Sequence, residues 1–404
     1  MRVVNRTIYQ NIIQNINTVT EQLRDIHEKI SSSKRINRPS DDPVGITHAL
    51  NIRETLAQLQ QYGTNIKHGQ SWLQMTESSL QKVEDLTIRT KEIANQMSTD
   101  TYNADQRANA AFEVQNIIEQ LVQVGNTEIN GRYIYSGDKD QTNAYELNLY
   151  RHDAVADPGN NPAYTGTATS SGTYTGVYSK KYVVEITTGG AVGVATYRVS
   201  EDGGTTWGPN DAFTTDTNPT NIYDSLNSLE TPPDQGVQIA FTNSGTLTAG
   251  DRFTIEVSRY NGNQKNVGII LGQSAQMNVN LNGDVVFGEA GDAANNLFDI
   301  LAGLKYALEN NNIDGVQASL DQLSNAQVRN TSNLADIGSR LNRMEVNNNL
   351  LADLNTNNTT RLSGIEDIDI AQAVTELSAK QLVYQSALYS ATQVTQMNML
   401  NYLR

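Results

Sequence analysis

The side chains best suited to metal ligation or to proton transfer near neutral pH are the four histidines, His27, His48, His68 and His152. No two of them stand in a His-Glu-x-x-His or comparable spacing, so they are expected on solvated helix faces or in a loop. Asp41 and Asp42 could form a carboxylate pair for general acid–base work. Adjacent acids beside Pro43 are better explained as caps of a helix that starts there. Asp138 and Asp140 begin something like a calcium loop, yet the Gly and the distant Glu of such a loop are missing from their places. There is no P-loop and no G-x-G-x-x-G, so nucleotide binding has no support. Tyr182, Tyr197 and Trp207 could stack on a sugar, although aromatic residues on strands usually belong to a core. No catalytic residue, cofactor or metal follows from these patterns, and the chain is expected not to be an enzyme.

Composition narrows the partners. Hydrophobic residues make up 38% and charged residues 18% of the 404, with 29 Gly and no Cys. That is lean for a compact enzyme and suits a polar, extended protein. Without cysteine there is no disulfide, thiolate metal site or Cys nucleophile, so stability must come from packing. The formal charge of −15 repels nucleic acid and anionic lipid, and neither is expected as a partner. The opening residues lack the apolar stretch of a secretory signal, and no run approaches the roughly 18 apolar residues of a membrane helix. The chain is expected to be cytosolic or exported by an unconventional route.

The elements that would position any site fall into three sections. Val4, Ile8, Ile12, Ile16, Val19, Leu23, Ile26 and Ile30 recur three or four apart, the stripe of a long amphipathic helix. It breaks at Arg38-Pro39-Ser40-Asp41-Asp42-Pro43, where Asp42 reads as an N-cap and Pro43 as the first helical residue. A second long helix carries Ile52, Leu56, Leu59, Tyr62, Ile66, Leu73, Leu80, Val83 and Leu86 toward Met97, and a third presents Ala108, Ala111, Phe112, Val114, Ile117, Ile118, Leu121 and Val124. Asn130-Gly131 supplies a tight turn, and the spacing predicts a short strand over residues 132–137. From about residue 143 to residue 284, Thr, Gly, Tyr and Val dominate in short alternating runs, clearest at 182–186, 195–199, 237–241 and 252–257. Helical spacing then resumes from Leu297 to Leu354, with Gln327, Asn330 and Asn348 leaving the seam partly polar, a device that can fix register. A break is expected at Ser363-Gly364, before a last helix from Ile370 to Leu403.

The fold class that results is mainly α with a β insert. The long N- and C-terminal helices pack together as a coiled-coil or helical-bundle rod, with a central all-β domain. Each terminal helix has an apolar stripe that it cannot bury alone. For an arbitrary chain the stripe first suggests an intramolecular coiled coil at the base of a monomeric stalk, and the sharper reading is a polymer subunit that completes its fold against copies or partners. The candidate assembly surface is Ile8, Ile12, Ile16, Val19, Leu23 and Ile26, together with Leu377, Tyr384, Leu388, Val394, Met397 and Leu400.

Several segments carry a family resemblance. Residues 30–43, Ile-Ser-Ser-Ser-Lys-Arg-Ile-Asn-Arg-Pro-Ser-Asp-Asp-Pro, resemble the signature of the flagellin superfamily. The form Arg38-Pro39-Ser40-Asp41-Asp42-Pro43 is similar to the hook-associated protein 3 branch. So are the Gly131-Arg132-Tyr133 element with its continuation to Gly137, the run Ile368 to Ala373, and the ending Met399 to Leu403. One departure is Ser33, where the family commonly has Gly, which would loosen the helix end. The resemblance covers roughly the first 140 and last 110 residues.

The resemblance implies a structural subunit of the bacterial flagellum, forming the junction layer between the hook and the filament. Its partners would be hook-associated protein 1, flagellin, copies of itself and a flagellar export chaperone, with no small-molecule substrate. It would be secreted through the flagellar export channel without a cleavable signal. Residues 1–42 and 365–404 would form an inner assembly domain, 43–142 and 285–364 a helical rod domain, and 143–284 an outer β-rich domain. A filament flagellin is the alternative within the class. Outside it, Ser200-Glu201-Asp202-Gly203-Gly204-Thr205-Thr206-Trp207 fits the Asp-box of sialidases, where it shapes a hairpin over a packed Trp. A carbohydrate-binding surface protein is therefore a third reading, although a propeller would repeat the box in each blade.

Overall fold

The computed structural model describes residues 2–207, 213–222 and 235–402, and only the backbone course of residues 2–6, 8, 9 and 394–402. The helices are α1 (Arg2–Ser32), α2 (Pro43–Met97), α3 (Ala104–Gly125), a short α4 (Gly283–Phe287), α5 (Leu297–Glu309), α6 (Ile313–Glu366) and α7 (Ile370–Tyr402). Packing divides the chain into two compact units: Met1–Thr64 with Val346–Arg404, and Asn65–Glu345. The architecture is mainly α with a central β region, as the spacing predicts.

Local sequence sets most helix ends. α1 stops where Ser33 adopts φ +55°, the left-handed conformation that glycine tolerates best. α2 starts at Pro43, and the Asp42 carboxylate accepts from the Gly45 amide at 2.8 Å. α3 begins with a capping box: Asn103 accepts from the Gln106 amide, and the Gln106 side chain accepts from the Asn103 amide. The break expected at Ser363-Gly364 is not there. Gly364 lies in open space, where a helix tolerates it at modest cost, and α6 runs on to Glu366. The chain instead turns at 367–369, where Asp369 caps α7 through the amides of Ala371 and Gln372.

In the second unit α2 and α6 run antiparallel, and the seam repeats every seven residues. On α2, Ile66, Leu73, Leu80, Thr87 and Ala94 are buried, and on α6 Val316, Leu323, Asn330, Ile337 and Met344. Asn330 is the polar member of this seam. Its Nδ2 donates to the Leu80 carbonyl at 3.1 Å and to Glu84 Oε2 at 2.8 Å, while Gln327 donates to Glu84 Oε1 at 2.7 Å.

Strands β1 (Glu128–Ile129) and β2 (Arg132–Tyr133) form a hairpin around Asn130 and Gly131, both at positive φ. The strand expected over residues 132–137 ends at Tyr133. Beyond it Ile134, Tyr135 and Ser136 are buried, and Tyr135 Oη donates to Ser79 Oγ of α2 at 2.9 Å. An aromatic cluster of Tyr135, Tyr145, Phe287 and Phe298 then ties the hairpin to α4 and α5.

The insert comprises β3 (Tyr145–Arg151), β4 (Val155–Ala156), β5 (Ala168–Ser171), β6 (Lys180–Thr188), β7 (Thr196–Ser200), β8 (Phe213–Thr214), β9 (Thr220–Asn221), β10 (Gln238–Phe241) and β11 (Arg252–Tyr260). An antiparallel sheet runs β3-β11-β6-β7-β8 with β4 also on β11, and a second runs β5-β10-β9. Alternate residues Tyr182, Val184 and Ile186 of β6 meet Phe253, Ile255 and Val257 of β11 and Ile239 and Phe241 of β10 in one core. A last hairpin, β12 (Gly268–Gly272) with β13 (Ala275–Asn278), lies on the helices, where Asn65 donates to the Ile270 carbonyl at 2.9 Å.

Candidate assembly surface

α1 and α7 pack against each other. On α7 the residues less than fully exposed between 370 and 391 are Ala373, Leu377, Lys380, Tyr384, Ala387 and Ala391, spaced four and three apart. On α1 the matching set is Ile12, Ile16, Val19, Leu23, Ile26 and Ile30. These are heptad seams, and the structure brings the expected residues Ile12, Ile16, Val19, Leu23 and Ile26 to the same pairing as Leu377 and Tyr384. Of these only Ile26 is buried. Leu388 lies off the seam and is 41% exposed. The side chains of Ile8, Val394, Met397 and Leu400 lie outside the described residues.

The α7 seam is thin, with three alanines and a lysine facing a row of isoleucines. Lys380 stays on it by donating to Gln22 at 2.8 Å. Outside the seam α7 presents a second set of apolar residues, Ile370, Val374, Leu382, Val383 and Tyr389, of which Leu382 and Tyr389 are 66% and 67% exposed. Several large apolar side chains exposed on one helix make it a candidate contact surface. Of the exposed apolar residues of α7 the expected surface includes Leu388 but none of Ile370, Val374, Leu382, Val383 and Tyr389, because α7 has apolar residues on nearly every side.

At the end of the pair, the 33–42 break and the 367–369 break lie side by side. Lys34 and Asp367 form an antiparallel bridge. The Arg35 amide donates to the Glu366 carbonyl at 2.6 Å, and the Ile368 amide to the Ser33 carbonyl at 3.3 Å. The motif residues do local work here. Asp41 accepts from the amides of Asn37 and Arg38 at 2.9 and 2.8 Å, and those bonds hold its carboxyl below the usual range. The Gly45 amide does the same for Asp42, helped by Arg35. A Cβ at Gly45 would overlap the Asp42 carboxylate and stand 2.8 Å from Ile36 Cδ1, so both side chains would have to shift to admit one. Arg38 forks onto both oxygens of Glu28 at 2.9 and 2.7 Å, and Pro39 follows it in the loop.

Glu366 completes the arrangement. Lys34 Nζ and Arg53 Nη2 reach its Oε2 at 2.9 and 2.7 Å. Burial pushes its carboxyl up, but the bonds from Lys34 and Arg53 outweigh that and hold it below the ordinary value. None of Lys34, Arg53 or Glu366 was legible as a site from sequence.

His27, His48 and His68 sit on exposed helix faces, and His152 meets Ser258 Oγ at 3.0 Å. Asp138 pairs with Lys265 at 2.9 Å, and Asp140 with Arg132 at 3.3 Å, beside Gly131 and Tyr133 of the hairpin. Among the described residues no three acidic, His or Cys side chains are grouped to hold a metal ion, and no helix is long and apolar enough to cross a membrane. The Asp-box forms a turn with Gly203 and Gly204 at positive φ. Its Asp202 accepts from the amides of Thr205 and Thr206 at 2.9 and 2.8 Å. Partial burial opposes the charge, yet bonds from Ser200 and Thr206 hold the Asp202 carboxyl down to about 2. Trp207 lies under the Arg198 guanidinium at 4.1 Å, and Tyr182 and Tyr197 are in the core.

The sequence model for the bacterial flagellin N-terminal helical region matches residues 3–140, and that for the C-terminal helical region matches residues 314–403. Flagellar hook-associated protein 3 of Escherichia coli (strain K12) is 30% identical over 143 residues, 35% of this chain and 45% of that protein. Flagellin FlaB1 of Treponema pallidum (strain Nichols) is 32% identical over 111 residues, 27% of this chain and 39% of that one. The matched regions thus span less than half the length of these two relatives. Among solved structures, a putative flagellar hook-associated protein from Vibrio parahaemolyticus superposes with a TM-score of 0.50 at 13% identity, covering 81% of this chain and 100% of that chain, a likeness of fold.

Proposed function

The chain belongs to the flagellin family, with both terminal helical regions matched in order over more than half of its length, and from that premise we propose that it is a structural subunit of the bacterial flagellum, laid down as the junction between hook and filament. The observation that carries this reading is the outward apolar face of α7, left uncovered after α1 has taken the seam. Such a face is completed by neighbours, and copies of this chain, flagellin and hook-associated protein 1 are the neighbours proposed. A flagellar export chaperone would cover it before assembly, and the chain would reach its place outside the cell by the flagellar export route.

The Arg38-Pro39-Ser40-Asp41-Asp42-Pro43 form of the break favours the junction over the filament. In this reading residues 1–42 and 365–404 make the inner assembly layer, 43–142 and 285–364 the helical rod, and 143–284 the outer domain. No covalent chemistry is called for.

Electron microscopy of a strain lacking the chain tests the role. Hooks without filaments, with flagellin shed into the medium, are expected, and restoring a chain that ends before Ala387 should not rescue them. Normal filaments on the deletion strain would overturn the junction reading. Production in great excess over hook proteins would instead identify a filament subunit.

A further inference from the structure

Glu366 is the last residue of α6, where the partial negative charge of the helix end disfavours a carboxylate, and its side chain is only 2% exposed. An isolated acid in that place would be strongly destabilising. Two cations from separate segments converge on one oxygen, Lys34 from the 33–42 break and Arg53 from α2, while Oε1 is buried without a hydrogen-bond partner. The remaining ion pairs of this region differ. Arg38 and Glu28 are 56% and 37% exposed, and Arg35 and Asp42 are 51% and 31% exposed, so water can replace either partner. Among the described ion pairs of this region Glu366 alone joins three segments through a buried charge, and removing one cation from a buried carboxylate costs far more than removing one from an exposed pair.

We propose that Glu366 is a latch, holding the α1–α2 break against the α6–α7 break only while Lys34 and Arg53 are both seated, so that the two breaks open together or not at all. The main chain supports this cooperativity. The Arg35 and Ile368 amides cross between the breaks on either side of the latch, and the Arg35 guanidinium donates to the Ile365 carbonyl at 2.9 Å. The helix pair α1–α7 therefore leaves the α2–α6 ends as one piece. The latch would act alike in a junction subunit and in a filament subunit.

Lys34 and Arg35 lie in the break, whereas the bond after Arg38 is protected by Pro39, so trypsin cleavage at the first two reports opening in the intact protein, and amide exchange at Arg35 and Ile368 reports the same event. The isosteric Glu366→Gln variant keeps the shape and removes the charge. Cleavage after Arg35 and exchange of the two amides should rise about tenfold, the factor equivalent to about 1.4 kcal/mol. Lys34→Met should do nearly as much, and the double variant should add less than about twofold, because both remove one interaction. Glu28→Gln, which breaks only the exposed pair, should change cleavage by less than about twofold. Rates within twofold of the parent for Glu366→Gln would overturn the latch. So would multiplying effects in the double variant, or an equal loss of protection at Leu80 in the second unit.

Discussion

In the strand-rich region Phe241 and Phe253 meet edge to face at 5.3 Å, and each is 1% exposed. In the terminal pair the seam of α1 places six apolar residues toward α7, and only Ile26 falls below a tenth exposed among the heptad positions from Ile12 to Ile26. Both regions follow an apolar period, two in the first and three-and-a-half in the second. The insert closes its core because a second sheet covers the first. The terminal pair is a two-helix layer, and among the described residues no third element covers the outer side of α7, so much of each helix stays wet. The contrast teaches that one region closes its own core while the other leaves apolar surface uncovered, as the proposed assembly role requires.

The contrast is broken or sharpened first by Phe253→Ala, which should destabilise the second unit by about 3 to 5 kcal/mol in denaturant unfolding. A loss below about 1 kcal/mol would mean that the insert is no better packed than the ends. Leu23→Ala, in the half-buried seam, should cost about 1 to 2 kcal/mol. That loss should appear as faster amide exchange in α1 and α7, with protection at Leu80 unchanged. Acid should touch the insert through Asp202. Its carboxyl is lowered in the folded chain to about 2 from 3.8, so its stabilisation is fully present above about pH 4 and is lost as pH falls toward 2. Because the group faces solvent the contribution is at most about 1 kcal/mol, and Asp202→Asn should remove that part of the acid dependence. Ser33→Gly should stabilise the end of α1 by about 0.5 to 1 kcal/mol, since glycine adopts φ +55° without strain. Slower exchange at Lys34 would register it. Tyr389→Asp should change the free subunit by less than about 0.5 kcal/mol, yet block co-assembly measured by sedimentation. Retained assembly would remove the outer face of α7 from the contact surface.

Much of the fold was legible because its rules are local. The break at Arg38 to Pro43, the Asn130-Gly131 turn, the Asp-box turn and the strands around 182–186 and 252–257 each depend on neighbours within a few residues. Ser363-Gly364 misled for the same reason: one exposed glycine in a long helix is a small local penalty, and the rest of α6 outweighs it. The strand after Gly131 was overestimated because Tyr135 leaves the hairpin to reach Ser79, a partner 56 residues away. The seam half of the candidate surface was visible as a stripe. The outer half was not, because a sequence shows that a residue is apolar and does not show which side its partner occupies.

By itself, then, the sequence determined the periods, the caps and the family motifs, all set by backbone sterics and side chains within about one or two helical turns. Only the tertiary structure decided that α1 takes one side of α7 and leaves Leu382 and Tyr389 in water, and that Glu366 meets a lysine 332 residues away. Those outcomes depend on which surfaces cover one another, and a buried charge or an uncovered apolar face exists only once that covering is fixed.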